Sequence, residues 1–406
     1  MLMILCMMIF YISTPLVLMY SILGISIQPS KWRKYYKYLI ISIAVISYSY
    51  NPIGTPDLVR YYELVNLTHG STLMQAINIL NDGLYTENIL FWIVGRIGDM
   101  NLLAAISGTI TYAISIYITC DIATIYKMER KIPPLIAMQM MILPFVSILC
   151  NVRCVLAFSL VSFAVYQELV KMNRKLIVYM LYVIAVFMHM TALIMILMRV
   201  SLIITKNMKW MIMMVISMIP IVIALLYQYV DKLPFGNMIK LLVTKVYWYF
   251  NDDLRSEFSQ RISNSNADYI NRLLLVSLAI IFIVCILTQF SKLYSKMSNY
   301  ITYIFMQCLA TVACYSVVTP QYWRFSAVSI ICGFGPVLIP ILKNYQNSSI
   351  YLKAIYWLMP IYSVAIFIIN IWKCRYIVDY LDWGVNFILN NVYTIFFSII
   401  KGLLIG

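Results

Sequence analysis

Thr55-Pro56-Asp57-Leu58-Val59-Arg60-Tyr61-Tyr62 is a charged, aromatic-rich stretch set between two long apolar tracts. Thr55 suits a helix N-cap and Pro56 the first helical position, where a missing N–H is no loss. Asp57 and Arg60 then lie three apart on one face, near enough for their charges to meet. Two readings fit these eight residues. One is a surface anchor, with an acid in the first turn and two interfacial tyrosines. The other is one wall of a polar site, and the placement of the remaining charge favours it.

Of 406 residues, 63% are hydrophobic and 11% charged, with a mean hydropathy of +0.86. A soluble domain carries about a quarter charged residues. The chain therefore reads as an all-α polytopic integral membrane protein, one membrane domain over 1–406. Met1–Ile27 is too long for a signal-peptide core, lacks a basic leader and a small-residue cleavage site, and reads as a retained first span. The net charge of +15 is no nucleic-acid signature. Its Lys and Arg residues come in short clusters between apolar runs, as cytoplasmic loops do under the positive-inside rule. The nine cysteines have no Cys-x-x-Cys spacing and read as apolar fillers. With two histidines, no protein-caged zinc is expected. No Walker loop, Gly-rich dinucleotide fingerprint or Gly-x-Ser-x-Gly elbow points to a cofactor or a nucleotide.

Threading apolar runs through a bilayer gives about 10–13 transmembrane or re-entrant helices. Lys31 to Lys37 is a cytoplasmic basic loop, and a short second span, Tyr38–Tyr50, places 51–88 outside as the first extracytoplasmic segment. Ile89–Ile97 is too short to cross and lies in the interface or re-enters. Leu102–Tyr126 heads inward, Pro133–Cys150 rises, Asn151-Val152-Arg153 turns outside, and Cys154–Leu169 descends. Leu176–Thr205 reads as a hairpin with its tip near His189, or else as one tilted span. Met211–Tyr229 leads out to a large extracytoplasmic loop, 230–271, which carries Trp248 and several acids. Leu273–Phe290, Tyr300–Val318, Ser326–Leu342 and Tyr351–Ile371 follow as spans, with Thr319–Phe325 at the outer surface. The tail from Trp372 has no assignable topology.

This threading collects Asp57, Arg60, Glu87, Arg153, His189 and Arg324 on the outer side. Ionisable groups at or within a membrane are costly and face a protein interior or a wet cavity. Arginine, unlike lysine, recognises phosphate through two parallel hydrogen bonds. Several outer arginines therefore suggest a phosphorylated, lipid-bearing ligand. Glu87 reads as an exposed loop acid that needs no explanation, and His69 as solvated. Trp323-Arg324-Phe325 fits an aromatic-belt anchor as well as a ligand site.

The order of these motifs resembles the EpsG family of Wzy-like exopolysaccharide, capsule and O-antigen polymerases. Pro56-Asp57-Leu58-Val59-Arg60-Tyr61-Tyr62 is similar to its Asp-x-x-Arg-Tyr signature, and Tyr85-Thr86-Glu87 to its aromatic/Glu segment. Asn151-Val152-Arg153-Cys154-Val155-Leu156-Ala157 resembles its Arg-Gln-x-x-Ala helix start, with Cys154 in place of Gln. His189-Met190-Thr191-Ala192-Leu193 resembles its His-x-Ser-Ala helix, and Trp323-Arg324-Phe325 its late Arg-aromatic motif. Met188 and Asn88 stand where Phe and Pro are usual. The resemblance implies a GT-C-like polymerase architecture in the bacterial inner (cytoplasmic) membrane, with its active site on the periplasmic or extracellular side. It implies a glycosyltransferase that joins undecaprenyl-pyrophosphate-linked repeat units, with a lipid-linked glycan donor and acceptor, membrane lipid around it, and a separate chain-length regulator. Arg153 and Arg324 would hold pyrophosphate, Arg60 would assist or pair with Asp57, and Asp57 or His189 would be the general base. Tyr61, Glu87 and Trp323 would line the substrate. A lipid-linked oligosaccharide flippase is the main alternative, and an O-antigen ligase a second.

Overall fold

The computed structural model describes residues 13–54, 56–80, 83–203, 266–293, 297–315, 319–345 and 350–405. Thr55, the Met211–Tyr229 span and residues 230–265 of the large loop lie outside them. The described residues form an all-α protein of the polytopic membrane type. Five helices are long and apolar enough to cross a bilayer, and a sixth span arises if Tyr380–Leu389 and Val392–Leu404, bent by 83°, count as one. Three shorter apolar helices accompany them, Thr14–Ile27, Leu176–Met188 and Ala192–Ser201.

The chain divides into two compact units. The first comprises Met1–Ser159, Phe187–His189 and Cys374–Gly406, and the second Leu160–Val186 and Met190–Lys373.

In the first unit, α1 (Thr14–Ile27) pairs with α2 (Trp32–Tyr48), and α3 (Asp57–Thr68) and α4 (Leu73–Leu80) pack on α5 (Tyr85–Ile97). The long α6 (Asn101–Ile125) packs against α2, α7 (Ile132–Ile142) and α8 (Phe145–Cys150), and α9 (Val152–Leu169) follows. Ser107, Thr111, Ser115 and Thr119 recur every four residues on α6 and are all buried. Gly108 beside them lets α2 approach closely, since a Cβ there would meet Ser47 Oγ at 2.1 Å. Small and hydroxyl residues of this kind draw membrane helices together. Thr119 donates to Gln139 Oε1 (2.9 Å), Gln139 Nε2 donates to Ser115 Oγ (2.6 Å), and Ser159 donates to Thr111 (3.1 Å).

Two local expectations are corrected. Lys31 to Lys37 is not a loop: a 3-10 turn over Pro29–Lys31 leads straight into α2 at Trp32. Nothing after Pro29 breaks a helix, and the Trp32 indole pins the start by donating to Thr124 Oγ1 at 3.0 Å. Pro133–Cys150 is not one helix, because Pro144 lacks an N–H and biases Leu143 out of the helical region. Leu143 has extended backbone, and α8 restarts at Phe145. Tyr112 of α6 donates to the Leu143 carbonyl at 2.9 Å, and Ser107 to that of Ile148 at 2.8 Å.

The tail closes this unit. α16 (Tyr380–Leu389) and α17 (Val392–Ile405) pack on its other helices. Trp383 donates to Ile46 O (2.9 Å), and Ser398 bonds to Asp99, which also accepts from the Tyr48 hydroxyl (2.5 Å).

The second unit holds α9 from Leu160, α10 (Leu176–Met188) through Val186, α11 (Ala192–Ser201), α12 (Asn266–Leu293), α13 (Ser298–Tyr315), α14 (Thr319–Lys343) and α15 (Ile350–Cys374) through Lys373. α12, α13 and α14 pack together. α14 is buried along its whole apolar window, whereas 22% of the α15 window is buried. Two acids are locked here. Glu168 accepts from Tyr182 (2.9 Å) and Arg199 Nε (2.9 Å), and Asp268 from Arg272 Nε (2.6 Å) and Lys373 (2.6 Å). The expected start of the descending span at Leu273 moves back to Asn266, so 266–271 is helix rather than loop.

Tyr112→Phe should lower thermal stability in detergent by about 1–3 kcal/mol, the cost of leaving a buried carbonyl without its donor. An unchanged melting temperature would mean that the Leu143 carbonyl is satisfied in another way.

Candidate functional site in the first unit

α3 begins at Asp57, with Pro56 as the N-cap rather than the first helical residue (φ −67°, ψ 163°). Its buried face is Leu58, Tyr61, Val65 and Thr68, at helical spacing. Asp57 and Arg60 do pair, at 3.6 Å, with side chains 48% and 74% exposed. A pair so exposed contributes at most a fraction of a kcal/mol, about 0–1. It orients the two residues more than it holds the helix.

α5 packs its Glu87, Asn88, Phe91, Val94 and Gly95 face inward. Gly95 admits α3, since a Cβ there would stand 3.0 Å from Val65 O and Thr68 Oγ1. His69, read above as solvated, is exposed, but its Nδ1 lies 2.7 Å from Gly95 O and latches the same two helices. The reading of Glu87 as an exposed acid is overturned: it is 1% exposed. It sits in the first turn of α5, where the helix dipole favours a negative charge.

Its partner is Arg153. Asn151 alone separates α8 from α9, so Arg153 is the second residue of α9 and not part of an open turn. Arg153 Nη1 donates to Glu87 Oε1 at 2.9 Å, and Nε to the Tyr61 hydroxyl at 3.3 Å. The guanidinium carbon lies 5.1 Å from the Tyr61 ring centre, a cation–π distance. A cation at a helix N-terminus opposes the dipole. The buried carboxylate and the aromatic face offset that penalty. Burial pushes the Tyr61 phenol above its ordinary range despite the opposing pull of Arg153, so it stays protonated at physiological pH.

His189 interrupts the helix between α10 and α11, where the hairpin reading puts its tip. It is 7% exposed, and its ring meets Phe158 edge-on at 6.0 Å, five residues beyond Arg153 on α9. Phe187 contacts Tyr85, two residues before Glu87, at 5.5 Å. His189 is thereby tied to the two helices that carry the ion pair. Asn88, beside Glu87, is 1% exposed, and its amide has no hydrogen-bond partner among the described residues.

Arg324 and Trp323 belong to the second unit. Both lie near the start of α14, each 8% exposed, so they are packed against protein rather than displayed as a lipid-facing anchor. The structure thus gathers Asp57, Arg60, Tyr61, Glu87, Arg153 and His189 in one unit and sets Arg324 and Trp323 in the other. The sequence reading undervalued Glu87 and Asn88. The only local signal for Glu87 was an acid in the first turn of an apolar helix.

Comparison with family models, with curated proteins and with solved structures finds no match for this chain.

Proposed function

We propose that the chain is a glycosyltransferase that polymerises lipid-linked glycan repeat units on a polyprenyl-pyrophosphate carrier at the outer face of the bacterial cytoplasmic membrane. The observation that carries this reading is the Arg153–Glu87 pair, stacked on Tyr61, in the same compact unit as Asp57 and His189. Arg324 and Trp323 belong to the other unit.

The reaction forms a bond from an acceptor sugar hydroxyl to the anomeric carbon of the donor glycan. It breaks the bond from that carbon to the lipid pyrophosphate. Negative charge grows on the departing pyrophosphate, and Arg153 meets it with a guanidinium already held in place, so little reorganisation is needed. Glu87 fixes that orientation, and Tyr61 supplies a protonated hydroxyl. The acceptor proton passes to Asp57 or His189, both of a type suited to general-base work. Asn88 offers an unpaired amide for a sugar hydroxyl or a bridging water.

In a strain lacking the chain, single repeat units should persist on the lipid carrier and at the outer surface while long polysaccharide disappears. Loss of all outward units would instead point to a flippase. Complementation with Arg153→Ala should not restore long chains, and normal chain lengths would remove Arg153 from the site.

Stability separates chemistry from scaffolding. Arg153→Ala alone should cost about 3 kcal/mol, because it strands a buried carboxylate. The double variant Glu87→Ala/Arg153→Ala should recover most of that loss in a thermal melt yet still make no long chains. If the double variant polymerises normally, the pair is a scaffold and the assignment fails.

A further inference from the structure

The opposite chemistry gathers around the start of α2. Arg33, Lys34, Lys37, Tyr38 and Ile41 line a cavity of about 430 Å³. These positions lie on one helical face, so the space they line is an open groove rather than an enclosed pocket. Arg33 is held in place by Asp121, which is 2% exposed, at 3.4 Å, while its own side chain remains 69% exposed. Lys34 sits over the Tyr35 ring at 5.5 Å. The 3-10 turn Glu129–Lys131 packs on the turn Pro29–Lys31, adding Arg130 and Lys131 to the same end of the unit.

Aromatic rings cluster beside this cavity. Trp32, Tyr36 and Tyr117 touch one another edge-on, and Tyr20 touches Tyr35 and Tyr38. Trp32 and Tyr35 are buried in the protein, and Tyr20 stays exposed, an amphipathic ring of the kind favoured at the headgroup layer. Tyr38 and Ile41 carry the cavity toward the apolar half of α2, where acyl chains run.

We propose that this cavity holds the phosphate headgroup of an acidic membrane phospholipid, with Arg33, Lys34 and Lys37 as its cationic walls. A lipid, and not a soluble phosphate, is the occupant because the basic walls stand beside the exposed Tyr20 ring, on a membrane-type helix, and the lining turns apolar along α2. This site is independent of the glycan reading. Its residues lie at the end of α2 that begins at Trp32, and none of them belongs to the Arg153 cluster.

The test uses the full-length protein in nanodiscs of phosphatidylcholine alone or mixed with phosphatidylglycerol, with co-isolated lipid counted by native mass spectrometry. Wild type should retain phosphatidylglycerol in excess of its share of the mixture. Lys34→Gln/Lys37→Gln should lose that excess by about fivefold for each charge removed. Lys34→Arg/Lys37→Arg should keep it, as should Lys175→Gln, a change at an exposed lysine outside the cavity. Wild type without enrichment, or a neutralised variant that retains as much as wild type, overturns the proposal. Displacement of the lipid by millimolar inorganic phosphate would also overturn it, since the site would then be one for a soluble anion.

Discussion

One ion pair constrains the first unit more than any other contact. Glu87 is almost wholly buried, and a lone carboxylate there would cost several kcal/mol in desolvation. Arg153 meets it at 2.9 Å and is itself at the wrong end of its helix dipole. Neither charge can be placed without the other, so the N-terminal turns of α5 and α9 are obliged to meet. Tyr61 adds α3 to the junction by stacking under the guanidinium and accepting from its Nε. Three helices far apart in sequence are thus fixed by one charge-neutral cluster. A buried pair of this kind is weak evidence for stability and strong evidence for registration, because its geometry has few solutions.

The rest of the unit follows a second constraint, that backbone polar groups inside a membrane need partners. Pro144 breaks a helix that composition alone would run through. The exposed carbonyls are then taken up by Tyr112 and Ser107, both from α6. The same helix offers Ser115 and Thr119 to Gln139, so its hydroxyl side chains serve its neighbours as neutral partners, and its one buried acid, Asp121, is paired with Arg33. The tail obeys the same logic at the α5–α6 connection, where Asp99 receives Tyr48 and Ser398. Gly402 allows that docking, because any Cβ there would stand 2.1 Å from Ile97 O.

What could be read from the sequence was what is local. Asp57 and Arg60 are three apart, and their pairing needs nothing beyond a helix. The extent of α6 follows from an uninterrupted apolar run, and the break at His189 from a run too long for one span. The burial of Glu87 was not legible, because it depends on Arg153, sixty-six positions away. Arg324 shows the same limit: its Pro-Gln-Tyr-Trp-Arg-Phe string suits a surface anchor as well as a ligand site, and its burial appears only in the packing of the helix that starts at Thr319. The basic cluster after Pro29 reads as a loop only if charge is equated with loop. Trp, Tyr, Arg and Lys are compatible with a helix, and α2 starts there.

The exposure of the two partners distinguishes kinds of ion pair in this chain. In the Glu168–Arg199 pair both side chains are 11% exposed, as expected of a pin between helices. In the Glu87–Arg153 pair the acid is 1% exposed and the base 27%, and in Asp121–Arg33 the values are 2% and 69%. A buried acid that holds a partly open guanidinium loses nothing if an anion arrives, because the carboxylate keeps its bond while the cation's outer edge takes the new ligand. Arg33 lines a cavity, in keeping with that asymmetry. The same asymmetry at Arg153, beside a protonated phenol, leaves the outer edge of a fixed cation open to an anionic ligand, which is what the proposed transfer would require, since preorganised donors act most strongly where they need not move.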